Sequence, residues 1–221
     1  MKLKFFLTSI CLILVATTHS AQTFVYNKVT GATELTTTYT IKKEDSLITV
    51  DSINQDQKTQ AISSPSHQLT SFCCNYIKNK DYSKFTLKNG VLTAEGVIKG
   101  ESLKEIYEMK KSLWVQEFEF GLYPFLVSDK TSWSFEILHP KNFKLHKMIA
   151  KKHGKETITI NNKPYKTLVV HITLPGFKGI FWKAELWYDA ETSNLLMYKS
   201  NEGPNTPSVA ITLASTPAKF D

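Results

Sequence analysis

GFKGIFWKAELWYD, residues 176–189, decides how this chain is read. It carries five aromatics, two lysines and two acids in one short run. Wound as a helix, it would group Phe177, Ile180, Phe181, Ala184 and Tyr188 on one side, but Trp182 and Leu186 would then face the wrong way. Laid out as a strand, it puts Trp182, Ala184, Leu186 and Tyr188 on one face and Lys183 and Glu185 on the other. Only Phe181 and Trp187 break that alternation. Aromatic residues favour strands. DAETSN (189–194) follows as a turn cluster, and LLMYK (195–199) resumes an apolar run. The stretch therefore predicts a strand–turn–strand hairpin, with Pro175, Gly176 and Gly179 marking a bend before it.

The same period of two extends along most of the chain. Leu35, Thr37, Tyr39 and Ile41 share one face, with Glu34, Thr36, Thr38 and Thr40 opposite. Lys43-Glu44-Asp45 reads as a turn, and Leu47 to Ile53 returns. Asn89-Gly90 is a strong hairpin signal between Phe85–Leu87 and Leu92–Val97. Trp133, Phe135 and Ile137 alternate with serines and Glu136, and Leu168, Val170, Ile172 and Leu174 alternate further on. Residues 56–70 are polar with one proline and read as a loop or a weak edge strand. Residues 102–126 have mixed periodicity. Trp114, Phe118 and Leu122 fall at helical spacing, which predicts a short helix ending near Gly121. The expected fold is mainly antiparallel β, a curved sheet or half-barrel packed on one or two short helices.

Trp187-x-Asp189-x-x-Thr192, followed by Leu195-Leu196, resembles a hairpin of bacterial envelope proteins of the lipoprotein-localisation-factor type. Gly154-Lys155-Glu156-Thr157-Ile158, then Asn162-Lys163, Tyr165, Leu168 and Val170, is similar to a related group of exported domains of unknown function. The resemblance spans residues 133–213. It implies a curved antiparallel sheet wrapped around one or two helices and a hydrophobic concavity. It brings no catalytic residue. Where that pattern commonly has a glycine after the threonine, this chain has Ser193-Asn194, and Asn194 is the residue expected to take the left-handed conformation.

Residues 1–20 read as a secretory signal peptide: Lys2 and Lys4, an apolar run from Phe5 to Ala16, then small and polar residues. The run is short of the roughly 20 residues that span a bilayer. Residues 21–221 then read as a single β-rich domain. The location implied is exported, in the periplasm or outside a bacterium, with no transmembrane segment after signal removal. The chain carries a formal charge of +7, all from lysine, with no arginine. Nucleic-acid binding, which leans on the arginine fork, is not expected. Lysine richness suits solvation and anionic surfaces instead.

Cys73 and Cys74 are adjacent. Neighbouring Cα atoms lie about 3.8 Å apart, short of the roughly 4.4 Å that ordinary disulfides need. Three states stay open: thiols on opposite faces of a strand, a strained Cys73–Cys74 disulfide, or a bridge to another chain. The histidines form no metal-binding spacing, so no metal site is expected. His67 reads as an exposed loop residue, His146 and His153 as part of a solvated lysine-rich segment, and His171 as a core histidine. Glu117, Glu119 and Glu185 read as strand-exterior charges. No nucleophile elbow or nucleotide-binding glycine motif is present, so no catalytic residue or cofactor is expected.

The aromatic load remains. Most of it must be core. Trp114, Phe118, Phe125, Phe181, Trp182 and Trp187 are the candidates to line an apolar cavity. The leading reading is a non-enzymatic exported domain that binds a lipid, acyl chain or other apolar ligand. The alternatives are a structural or interaction domain that recruits an envelope protein, and a secreted hydrolase without a recognisable motif.

Overall fold

The computed structural model describes residues 21–109, 112–180, 182–201 and 206–215. The predicted signal peptide and Phe181 lie outside them. Within them the chain forms one antiparallel sheet of fourteen strands. Eight strands follow one another as a meander: β1 (Ala21–Thr30), β2 (Thr33–Lys43), β3 (Ile48–Ile53), β4 (Gln57–Ser63), β5 (Leu69–Tyr76), β6 (Tyr82–Lys88), β7 (Val91–Ile98) and β8 (Glu101–Glu108). A second meander holds β9 (Ser132–Leu138), β10 (Leu145–Ile160), β11 (Lys163–Thr173), β12 (Lys183–Asp189), β13 (Leu195–Asn201) and β14 (Ser208–Ser215). The last strand pairs with the first, β14 with β1, and joins the two meanders. The free edges are then β8 and β9, which are consecutive in sequence.

The connection between those edges does not extend the sheet. It lies against the concave face and carries two single-turn helices, α1 (Phe118–Gly121) and α2 (Tyr123–Leu126). Trp114, Val115, Leu122 and Phe125 are buried there in one cluster with residues of both meanders. Val115 donates its N–H to the Glu136 carbonyl at 2.9 Å, and Glu136 donates to Leu113 at 2.8 Å, so the connection pairs briefly with β9. Tyr107 on β8 donates its hydroxyl to the Phe143 carbonyl at 2.6 Å, in the turn between β9 and β10. These contacts draw the two edges together and cover backbone groups that an open edge would expose.

The hairpin expected over residues 182–199 is present. Ala184, Leu186 and Tyr188 are fully buried on the concave side, Lys183 is exposed and Trp182 is half-buried against the core. A 3-10 turn, Gly176–Ile180, forms the bend. In the turn after β12, Asp189 accepts the N–H groups of Glu191 (2.9 Å) and Thr192 (2.8 Å). The left-handed residue is Ser193, with φ 60°, and not Asn194 as expected. Asn89-Gly90 turns with φ of 52° and 75°, which matches the expected tight hairpin.

Other expectations are corrected. Residues 56–70 contain β4 and the start of β5, both interior strands. Their polarity misled because Thr59 faces a polar patch on the inside of the sheet. In 102–126 the expected helix is confined to residues from Phe118 onward, and residues 101–108 are the edge strand. His171 is on the outer face, stacked on His153 at 4.2 Å and 3.8 Å from Glu185, and is not in the core. Of the three states left open for Cys73 and Cys74, the structure has the first, free thiols on opposite faces of a strand, Cys73 half-buried and Cys74 buried.

A row of small residues crosses the concave face. Cross-strand pairing links Ser52 with Thr59, Thr59 with Cys74, Cys74 with Ser83 and Ser83 with Gly96. A Cβ on Gly96 would lie 2.1 Å from the Tyr82 carbonyl oxygen and 3.1 Å from the Phe143 ring. Gly96→Val is therefore expected to destabilise the fold by about 3 kcal/mol, against less than about 0.5 kcal/mol for Lys88→Ala on the surface, measured by urea unfolding.

Candidate functional site

Along β2, β3 and β4 the inward residues change character from one end of the strand to the other. On β2 they run Lys43, Ile41, Tyr39, Thr37; on β3, Ile48, Val50, Ser52; on β4, Ser63, Ala61, Thr59, Gln57. The register aligns these changes. Ile41, Val50, Ala61 and Phe72 form one apolar row, and Tyr39, Ser52 and Thr59 form the polar row beside it. The wall is thus apolar in one half and polar in the other.

Each half faces a cavity. The apolar one, of about 270 Å³, is walled by Ile41, Ile48, Val50, Ala61 and Leu69, with Trp114, Val115 and Phe120 from the β8–β9 connection. Lys43 and His67 also line it, and His67 stacks on Tyr123 at 4.3 Å. The polar one, of about 480 Å³, is lined by Thr37, Tyr39, Ser52, Asn54 and Gln57, with Lys28, Lys78 and Lys141. Glu119 lines both.

The divider is the run Glu117-Phe118-Glu119-Phe120. Phe118 packs away from the cavities, against Phe135 (6.0 Å) and Tyr198 (6.4 Å), and its carbonyl accepts the Tyr188 hydroxyl at 2.7 Å. That anchor turns the two glutamates towards β2–β4. Thr59 donates to Glu117 Oε1 at 2.8 Å, and Thr59 and Ser52 share a hydrogen bond of 2.6 Å. Tyr39 donates to Glu119 Oε1 at 3.1 Å, and its ring meets Phe120 at 5.4 Å. Glu117 and Glu119 are therefore interior groups, which corrects their reading as strand-exterior charges. Alternation alone could not tell which side of an isolated strand would be covered.

Two carboxyl groups in such a place resist ionising together. What little of their surface is open faces the cavities, so burial strips water from the charged form and each repels the other's charge. Burial, then Glu119, pushes Glu117 up to about 8, against a smaller lowering by the Thr59 hydrogen bond. Burial also raises Glu119, opposed by hydrogen bonds to backbone and Tyr39 and by the Lys28 charge. Glu117 Oε2 is sealed and has no hydrogen-bond partner among the described residues.

Of the six aromatic candidates, Trp114 lines the apolar cavity, while Phe118 and Phe125 serve the core; Phe125 stacks on Trp133 at 5.8 Å. Trp182 packs at the margin of the core. Trp187 is on the outer face. Its Nε1 donates to Glu156 and Lys199 Nζ lies 5.5 Å above its ring. The long β10–β11 hairpin reaches across that face to β14, where Asn161 donates to the Ala214 carbonyl at 3.1 Å. This is why Trp187 broke the alternation yet is buried. The aliphatic wall and the two glutamates were missed. The QEFEF run, 116–120, held the signal, two acids interleaved with two aromatics in a segment otherwise rich in apolar residues. Among the described residues no group of three or more His, Cys, Asp or Glu is arranged to hold a metal ion.

The class these features define is a β-barrel-like open sheet with a divided concave cavity. That fold is shared with a solved β-barrel-like protein of domain of unknown function DUF1849 from Brucella abortus, at a TM-score of 0.66 and 6% identity over 91% of this chain and 98% of that one. The chain also aligns with the hypothetical lipoprotein YmcC from Escherichia coli (TM-score 0.43, 13% identity, 90% and 87% covered). A LolA superfamily protein from Nitrosomonas europaea aligns over 91% of this chain and 86% of that one, at a TM-score of 0.26 and 7% identity. At these identities the likeness is one of fold, and of these three the Brucella match carries it. No family model and no curated protein sequence matches the chain.

The buried pair gives the protein a pH signature. Between the ordinary carboxylate value and about 8, native Glu117 holds a proton that the unfolded chain releases. Stability therefore falls as pH rises through that window. We expect a loss of up to about 1.4 kcal/mol per pH unit, and a clearly shallower slope for Glu117→Gln, measured by urea unfolding at a series of pH values. Equal slopes would place the carboxyl in ordinary solvent.

Proposed function

We propose that this chain is an exported, non-enzymatic domain of a bacterial envelope that binds an apolar chain, such as the acyl chain of a lipid, on the concave side of its sheet. The observation that carries this reading is the apolar cavity against β2–β4, roofed by Trp114, Val115 and Phe120. A core built only for stability would close such a space, because interiors pack to crystal-like density. Its volume, about 270 Å³, is near the lower end of the ligand-cavity range, about 300 Å³, and suits one alkyl chain rather than a whole diacyl lipid. Each methylene transferred there from water contributes about 0.8 kcal/mol.

Export rests on the signal-like residues 1–20. Among the described residues no helix is long and apolar enough to cross a membrane. The non-enzymatic reading rests on the sequence, which carries no nucleophile elbow and no nucleotide-binding glycine motif.

cis-Parinaric acid, a fluorescent fatty acid, is expected to bind with enhanced emission. Val50→Trp, which fills the cavity, is expected to weaken it at least about tenfold, a difference of about 1.4 kcal/mol. Val29→Trp, on an exposed position, is expected to leave binding unchanged. No emission change with the unmodified protein, or equal binding by Val50→Trp, would overturn the reading.

A further inference from the structure

We propose that the polar cavity is the head-group half of the same site, and that the ligand is a single-chain amphiphile with an anionic head, a phosphate or carboxylate. This rests on the apolar-chain reading above and names the ligand class.

The two cavities are not independent features. They lie along the same three strands, on the same face, and meet at Glu119. The inward residues switch from aliphatic to hydroxyl and amide at the same cross-strand row on each strand. A wall that turns from aliphatic to hydroxyl along one shared row fits a molecule with a tail and a head. A purely apolar ligand would leave the polar half without purpose, and a purely polar one would leave the aliphatic half unfilled.

Charge decides the sign of the head. Lys28, Lys78 and Lys141 line the polar cavity against Asp56 and Glu119. Lys78 and Asp56 neutralise each other at 2.7 Å. Burial raises Glu119, and the Lys28 charge beside it opposes that rise, so these two groups face each other across the cavity. Three lysines against two acids leave the lining one positive charge in excess, carried by Lys141. Lys141 Nζ is held 5.4 Å above the Tyr76 ring, which is itself part of the lining, so its charge is kept at the cavity. Gln57, Asn54 and Asn79 add amide groups beside it. Lys43, on the apolar cavity, places a positive charge there too and discourages a cationic ligand from either side.

Isothermal titration calorimetry at neutral pH and low salt, below micelle formation, tests this with dodecyl phosphate, monododecanoylglycerol, dodecyltrimethylammonium and inorganic phosphate. Dodecyl phosphate is expected to bind roughly tenfold more tightly than the neutral glyceride, the scale of one charge-assisted hydrogen bond. The ammonium compound is expected to be weakest. The double variant Lys28→Gln/Lys141→Gln is expected to remove the preference for phosphate while still binding the glyceride. Inorganic phosphate at the same concentrations is expected to displace nothing. The head-group assignment is overturned if the ammonium compound binds as well as the phosphate, if the double variant keeps the preference, or if inorganic phosphate competes. Each of those results leaves the apolar-chain reading standing. Failure of the glyceride to bind the unmodified protein would instead remove that reading and this one with it. Circular dichroism and unfolding curves confirm that the variants fold, as expected for lysines that are not buried.

Discussion

A sheet that coils through fourteen antiparallel strands must do something with its two ends. Here both ends fall at one point in the sequence, and the segment joining them is laid across the concave face. Its hydrogen bonds to β9, and the bond from Tyr107 to Phe143, fasten the edges. Its side chains fill part of the interior. The rest of the architecture follows from that placement. Small residues on the facing wall leave room for the segment, aromatic rings from both meanders grip Phe118 and Phe120, and the space it does not fill becomes the two cavities. The price is a pair of glutamates carried into the interior with it, each tied to a wall hydroxyl.

Those glutamates give the site its character. A buried carboxyl group without a hydrogen-bonding partner is costly, and two side by side are worse. Thr59, Ser52 and Tyr39 offset part of that cost with hydroxyl groups. Protonation of Glu117 removes more of it. The result is a neutral-leaning polar divider between an aliphatic chamber and a lysine-bearing one. Such a divider suits the boundary between the tail and head of an amphiphile, where polarity must change without a strong fixed charge.

Much of this was legible in the sequence. The period of two in 35–41, 133–137 and 168–174, the Asn89-Gly90 turn and the 182–188 strand all reflect local geometry, and the structure repeats them. What was not legible depends on which face of a strand is covered, and by what. β4 looked like a loop because its inward Thr59 is polar, and its partner in polarity, Glu117, lies far away in sequence. Trp187 looked like an irregularity because the groups that meet it on the outer face, Glu156 and Lys199, come from other strands. His171 looked like a core residue because its neighbours are apolar, yet it occupies the outward phase of an inward-facing strand. Glu117 and Glu119 looked like surface charges because interleaved acids usually are. Only the inward course of the β8–β9 connection reverses that reading, and no short window of sequence encodes it.

The divided site depends most on Glu117 being enclosed against the apolar cavity, two residues from Glu119, which lines both. Carbon-13 NMR of glutamate side-chain carboxyl groups, assigned by comparison with Glu117→Gln, measures this directly. The account predicts one resonance that titrates above neutrality, near 8, and shifts when dodecyl phosphate is added. A Glu117 resonance that titrates in the ordinary carboxylate range, near 4.3 in model peptides, and ignores the ligand would contradict it.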